Sequence, residues 1–257
     1  MIIEELKKDT INNLIKNNQR IDGRGMYDYR EIKIEKNVLT SAEGSAKVSL
    51  GNTQILVGVK VDLATPYPEK PDEGTLSVHA ELLPLASPTF EIGPPSEEAI
   101  ELARIIDRGI RSSECIDLKK LYIEEDKVWS VNIDIYVLDH DGNMIDASGL
   151  AAVAAIENLK IPTYEDGEVI RDKYTTLQIR EYPLYFTFSK ISGRIICDPN
   201  QAEEIASDCR FTVCLGEDMI YAIQKGGRGS FKREEIFEMI EVGLKKRKDF
   251  LNLIKSV

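Results

Sequence analysis

Ser45-Ala46-Lys47-Val48-Ser49-Leu50-Gly51-Asn52-Thr53-Gln54-Ile55-Leu56-Val57-Gly58-Val59-Lys60-Val61-Asp62 is the stretch from which the fold is read. Ala46, Val48 and Leu50 alternate with Ser45, Lys47 and Ser49. After Gly51-Asn52-Thr53, Ile55, Val57, Val59 and Val61 alternate with Gln54, Gly58, Lys60 and Asp62. Side chains alternate faces along a strand, so this pattern predicts a hairpin with one buried face. Before it, residues 2–17 predict an amphipathic helix with Ile3, Leu6, Leu14 and Ile15 on one side. Arg20-Ile21-Asp22-Gly23-Arg24-Gly25 is a turn-rich link carrying two arginines.

After the hairpin, residues 64–74 hold three prolines and no periodicity, and read as a loop. A strand follows from Thr75 to Leu82. Ser96 is placed to cap a helix running to Ser113, with Glu97 and Glu98 in the first turn, where the helix dipole favours anions. Ile133, Ile135 and Val137 mark a strand ending at Asp139-His140-Asp141-Gly142. A helix rich in alanine follows over 147–159, and Ile161-Pro162 ends it. Residues 163–173 read as a loop. Strands then fall near 184–189, 193–197, 211–215 and 219–224, before a helix over 230–255. Two successive strand-then-helix blocks predict an α+β fold: an N-terminal helix at 1–18, a first half at 19–162 and a second half at 163–257.

The 257 residues carry 33 Lys plus Arg against 44 Asp plus Glu, a net charge of −11. An acidic chain is a poor general binder of nucleic acid, though a local basic patch escapes that argument. The four cysteines form no CxxC pair, and His79 and His140 lie far apart, so the usual zinc spacings are absent. Neither histidine has a recognisable catalytic partner. We expect no metal, no cofactor, no leader peptide, no membrane span and a cytoplasmic protein with reduced cysteines.

Arg104, Arg108 and Arg111 stack along one helix face. Such a stripe can follow a phosphate backbone. The spacing fits a solvated face as well, with Glu101–Arg104 and Asp107–Arg111 as ion pairs. Gly226-Gly227-Arg228-Gly229-Ser230 offers N–H groups at a helix start, and is equally a structural turn with a cap. Asp198 and Glu204, six apart, are candidates for a divalent cation or for a turn and a solvated helix start. Met144-Ile145-Asp146 follows the Asp141-Gly142 turn without a cation, and Asp146 at that position should repel phosphate.

Taken in order, these pieces resemble the RNase PH family, and its exosome subunits in particular. The pieces are Arg20-Ile21-Asp22-Gly23-Arg24, Gly44-Ser45-Ala46, Gly51-Asn52-Thr53, Ala103-Arg104 through Arg111, Asp141-Gly142 with the Ala-rich helix, Cys197-Asp198-Pro199 and Lys225-Gly226-Gly227. The match covers residues 20–257. The resemblance implies a fold like the second domain of ribosomal protein S5, and a ring of six such folds. In archaeal exosomes a phosphorolytic subunit, which removes 3′ nucleotides from RNA with inorganic phosphate, alternates with a subunit lacking the chemistry. The start helix and Leu85-Ala86-Ser87-Pro88-Thr89-Phe90 resemble the second kind.

Active members hold phosphate with a Thr-Arg or Ser-Arg pair after the Asp-Gly turn. Here Met144 and Ile145 match those positions, making a degenerate phosphate site with Asp146. An apolar side chain cannot replace a guanidinium at an oxyanion. Active members also carry two aspartates where this chain has Asp198 and Glu204. The resemblance thus implies a non-catalytic subunit that completes a catalytic RNase PH-like partner's site, lends Arg104, Arg108 and Arg111 to RNA, and sits beneath RNA-binding cap subunits. An active exoribonuclease and a pure assembly subunit without RNA contact remain the alternatives.

Overall fold

A computed structural model describes residues 2–256 and the side chains of residues 8–256. Helix α1 (Ile2–Lys16) opens the chain. Ile11 and Ile15 bury themselves against Ile191, Ile196 and Ala206, a small core separate from the main one. Leu14 is half-buried, and the predicted contacts of Ile3 and Leu6 lie outside the described side chains.

The first sheet holds β1 (Ile32–Lys36), β2 (Gly44–Leu50), β3 (Thr53–Ala64), β4 (Thr75–Leu82), β5 (Tyr122–Glu124) and β6 (Lys127–Asp139), in the order β1-β2-β3-β6-β4 with β5 on β6. The predicted hairpin is β2 and β3, with Ala46 opposite Val57 and Val48 opposite Ile55. Its apolar row is fully buried. Strand β4 lies parallel to β6, and α2 (Glu97–Ser112) supplies the crossover between them. Ser96 caps α2 as expected, its Oγ accepting from the Ala99 N–H at 3.2 Å.

Helix α3 (Met144–Glu157) begins three residues earlier than predicted, because Asn143 adopts a left-handed conformation (φ 51°) that turns the chain directly into it. Residues 144–156 are buried on every side. The small residues serve one contact in particular. A Cβ added at Gly149 would lie 2.1 Å from the Tyr185 ring, and one at Gly109 on α2 would lie 2.1 Å from the Tyr185 hydroxyl. The phenol is clamped between the two helices and donates to the Ile106 carbonyl at 2.7 Å.

Residues 163–173 are not a loop. Strands β7 (Lys160–Glu165) and β8 (Glu168–Thr176) form a hairpin around Asp166 and Gly167, whose φ values of 52° and 88° suit the tight turn that matches strand twist. The second sheet has β9 (Leu184–Ile191), β10 (Arg194–Cys197), β11 (Cys209–Leu215) and β12 (Ile220–Gly227), ordered β10-β9-β11-β12. A short α4 (Gln201–Ala206) joins β10 to β11. The last helix, α5 (Arg233–Lys255), starts later than the predicted 230, because Glu235 reaches back to accept from the Lys232 N–H at 2.6 Å. Ser230 therefore lies outside the helix and does not cap it. The two sheets share α3 and one continuous core.

Candidate phosphate site and nucleic-acid interface

The chain leaves β10 through Asp198, itself left-handed at φ 50°, and enters α4 through a capping box of Asn200 and Glu203. Three arginines from the turn-rich link and the segment after it converge here. Arg20 gives Nε and Nη2 to the two Glu203 carboxylate oxygens, at 2.9 and 2.6 Å. Its other donors reach the Cys197, Asp198 and Asp28 carbonyls. Both side chains of this pair are wholly buried.

The Asp198 carboxylate accepts from Arg24, from the Arg30 backbone and guanidinium, and from Asn143. Burial pushes this carboxyl up, but the Arg30 bonds and charge outweigh burial and hold it below the ordinary value. With five donors on two oxygens, Asp198 has no lone pair directed at a cation. Glu204 does not share a ligand position with it. The two carboxylates meet only through Asn143, whose side chain serves Asp198 and whose backbone N–H donates to Glu204 Oε1 at 2.8 Å. Among the described residues no three acidic, His or Cys side chains gather as a metal site.

At the start of α3, Met144 and Ile145 are buried apolar side chains. Asp146 corrects the sequence-based expectation. It is buried at the start of the helix, turns inward and accepts from Tyr29 Oη, Asn143 Nδ2, Thr187 N and Thr187 Oγ1 at 2.7–2.9 Å. It therefore ties α3 to β9. The anion standing at the helix start is Glu204, half-buried and raised to about 7 by desolvation.

Burial likewise lifts the Asp146 carboxyl from 3.8 to about 6, against its four hydrogen bonds. The folded state then binds a proton that the unfolded chain has released, so this group's contribution falls as pH rises from about 4 to about 6. The loss is on the order of 3 kcal/mol. In Asp146→Asn the amide oxygen keeps three donors and the amide nitrogen can donate to Thr187 Oγ1. Denaturant titrations should show a flatter decline of stability from pH 4 to 6 in this variant. Equal slopes in both proteins would show that Asp146 is ionised throughout that range.

The predicted arginine stripe divides. Arg104 is exposed and makes no hydrogen bond or ion pair among the described residues. Arg108 is exposed, and its single hydrogen bond among the described residues is a long one to Gln224 Oε1, at 3.5 Å. Arg111 is pinned by both Asp107 oxygens and the Leu76 carbonyl. The Asp107–Arg111 pair forms as expected. The Glu101–Arg104 pair does not, because Glu101 turns to Arg210 and Gln224. His79 is exposed on β4, and His140 stacks on Phe90 at 5.4 Å without a nucleophile. The roles of Arg20, Arg30, Tyr29, Asn143 and Thr187 escaped sequence reasoning. The paired arginines around Asp22-Gly23 were the one available signal.

Two sheets sharing an Ala-rich helix, with an Asp-Gly turn at that helix's start, make an RNase PH-like fold, and the chain belongs to the RNase PH 3′ exoribonuclease family. The family's domain 1 matches residues 28–162 and its domain 2 matches residues 181–246. Among curated relatives, it is 49% identical over 260 residues to the exosome complex component Rrp42 of Thermococcus gammatolerans, covering 98% of this chain and 95% of that protein. It is 44% identical over 251 residues to the Rrp42 component of Methanothermobacter thermautotrophicus, covering 95% and 93%. Among solved structures it superposes with a TM-score of 0.91 on a chain of the Archaeoglobus fulgidus exosome with RNA bound to the active site, at 43% identity over 97% of this chain and 100% of that one. Rice Rrp46, 19% identical with a TM-score of 0.71 over 92% of this chain and 98% of that one, shares the fold.

Proposed function

We propose that this chain is the non-catalytic RNase PH-like subunit of an archaeal-type exosome, a complex that degrades RNA from the 3′ end by phosphorolysis. The observation that carries the reading is the start of α3. By the family resemblance, Met144 and Ile145 stand where a phosphate-binding chain has a hydroxyl and a guanidinium, and the Glu204 carboxylate accepts from the Asn143 N–H that precedes the helix. Similarity to Rrp42 components along nearly the whole chain supports the same reading.

In this proposal the chain alternates with a catalytic RNase PH-like partner in a hexameric ring, completes that partner's site, and lies beneath RNA-binding cap subunits in the cytoplasm. Four buried, unpaired cysteines suit a reducing compartment. The proposed division into residues 1–18, 19–162 and 163–257 places the six-stranded sheet in the first half and the four-stranded sheet in the second, with the boundary falling inside β7.

Arg104 and Arg108 are assigned to RNA phosphates. Arg111, held by Asp107 and Leu76, is assigned chiefly to positioning the end of α2. Native mass measurement of this chain mixed with a catalytic partner should show equal numbers of each in a six-membered ring. In that ring, Arg104→Glu with Arg108→Glu should flatten the salt dependence of single-stranded RNA binding by about 1.4 units, two contacts at ~0.7 each. Arg111→Gln should change it far less. An intact ring with unchanged affinity and slope would favour the assembly-only reading.

A further inference from the structure

Residues 225–233, Lys225-Gly226-Gly227-Arg228-Gly229-Ser230-Phe231-Lys232-Arg233, carry four cations and no acid in a chain of net charge −11. All four cations are exposed, and none forms an ion pair among the described residues. Nearby carboxylates are largely engaged elsewhere. Glu235 pairs with Lys190 and the Lys232 N–H, and Glu238 accepts from Tyr27. Among the described residues Asp208 and Glu234 form no ion pair, and they are fewer than the four cations.

The segment is also ordered. The N–H groups of Arg228 and Gly229 both donate to the Asp208 carbonyl, at 3.1 and 2.9 Å, folding the chain back on itself. An aromatic surface adjoins the charge. Phe237 is 54% exposed, and the Arg233 guanidinium lies 5.5 Å from its ring centroid. Cations that track a backbone beside an exposed aromatic ring suit single-stranded nucleic acid. An acidic protein partner would use the charge but would not need the exposed ring.

The segment borders the arginine stripe. β12 is an edge strand, with Gln224 turned to Arg108 on α2 and the neighbouring Lys225 projecting from the opposite face. A chain of phosphates can therefore pass from one face to the other around this edge.

We infer that residues 225–233 with Phe237 form a second contact surface for single-stranded RNA, distinct from the α2 arginines. The inference rests on the RNA-handling role proposed above. Its test uses fluorescence anisotropy of a labelled oligoadenylate with the full chain, alone and in the ring, across a salt series. Two variants are compared with wild type. One carries Lys225→Gln, Arg228→Gln, Lys232→Gln and Arg233→Gln, and the other carries Arg104→Gln and Arg108→Gln.

The quadruple variant should bind at least roughly tenfold more weakly, with a salt slope flatter by about 2–3 units, from four contacts at ~0.7 each. Loss confined to the α2 variant would overturn this surface while leaving the RNA role intact. No loss in either variant would overturn both. If the quadruple variant binds RNA normally but no longer joins the ring, the surface belongs to a protein partner and the inference is wrong. Should the quadruple variant melt early, Arg228→Gln with Lys232→Gln gives the same reading at about half the slope change.

Discussion

Replacing Arg20 by alanine is expected to lower the unfolding free energy by about 3–5 kcal/mol, the cost of leaving a buried charge without its partner. The substitution strips both Glu203 oxygens of their guanidinium donors, in a place where neither side chain reaches water. It also removes the donors to the Cys197 and Asp198 carbonyls, at 2.9 and 2.8 Å. For a chain of this size the midpoint of thermal unfolding should drop by roughly 10 °C. Arg20→Lys should recover little, since an ammonium cannot span both carboxylate oxygens in one plane.

The double variant Arg20→Met with Glu203→Gln should cost less than the two single changes summed, because removing both charges leaves neither stranded. The amide can still accept from the Asn200 N–H that Glu203 now serves at 2.9 Å. A fall of less than about 2 °C for Arg20→Ala, against the per-kilocalorie shift expected here, would mean that the pair is hydrated.

That pair also shows where a sequence stops being readable. Period-two alternation exposed β2 and β3, because one face of that hairpin is buried and the other is not. Ser96 was legible because an N-cap is local chemistry. Arg20 and Glu203 stand 183 residues apart, and nothing in either neighbourhood names the other. Asp146 failed for a different reason. Helix α3 is buried all round, so its sequence has no polar stripe to show which way a side chain points. The missed β7–β8 hairpin had its signal in plain view: Asp166-Gly167 between Tyr164-Glu165 and Glu168-Val169, obscured by the surrounding charges. The degenerate phosphate positions came from the family resemblance. Only the structure shows that Glu204, not Asp146, is the anion at the helix start.

That reassignment sets the expected outcome for chemistry. The chain alone should release no nucleoside diphosphate from RNA and phosphate, with or without Mg²⁺. Phosphorolysis requires phosphate held in line with the 3′-terminal linkage and a cation for the charge that develops there. Loss of a single such donor typically costs 10²–10³ in rate, so lacking both the hydroxyl and the guanidinium should suppress turnover by roughly 10⁴-fold or more. Ile145→Arg should not restore activity. The position is 6% exposed, and the nearby Glu204 carboxylate at the same helix start offers the new guanidinium a partner before any phosphate arrives. Adding Glu204→Gln removes that competitor. The double variant should then bind phosphate measurably by calorimetry where Ile145→Arg alone does not, while still lacking the hydroxyl that Met144 cannot supply. If the proposed ring assignment holds, removing the matching arginine from the catalytic partner should abolish product release by the assembled complex. Phosphate-dependent release of nucleoside diphosphates by the pure chain, lost on Asp198→Asn, would make it an active exoribonuclease with an unusual phosphate site.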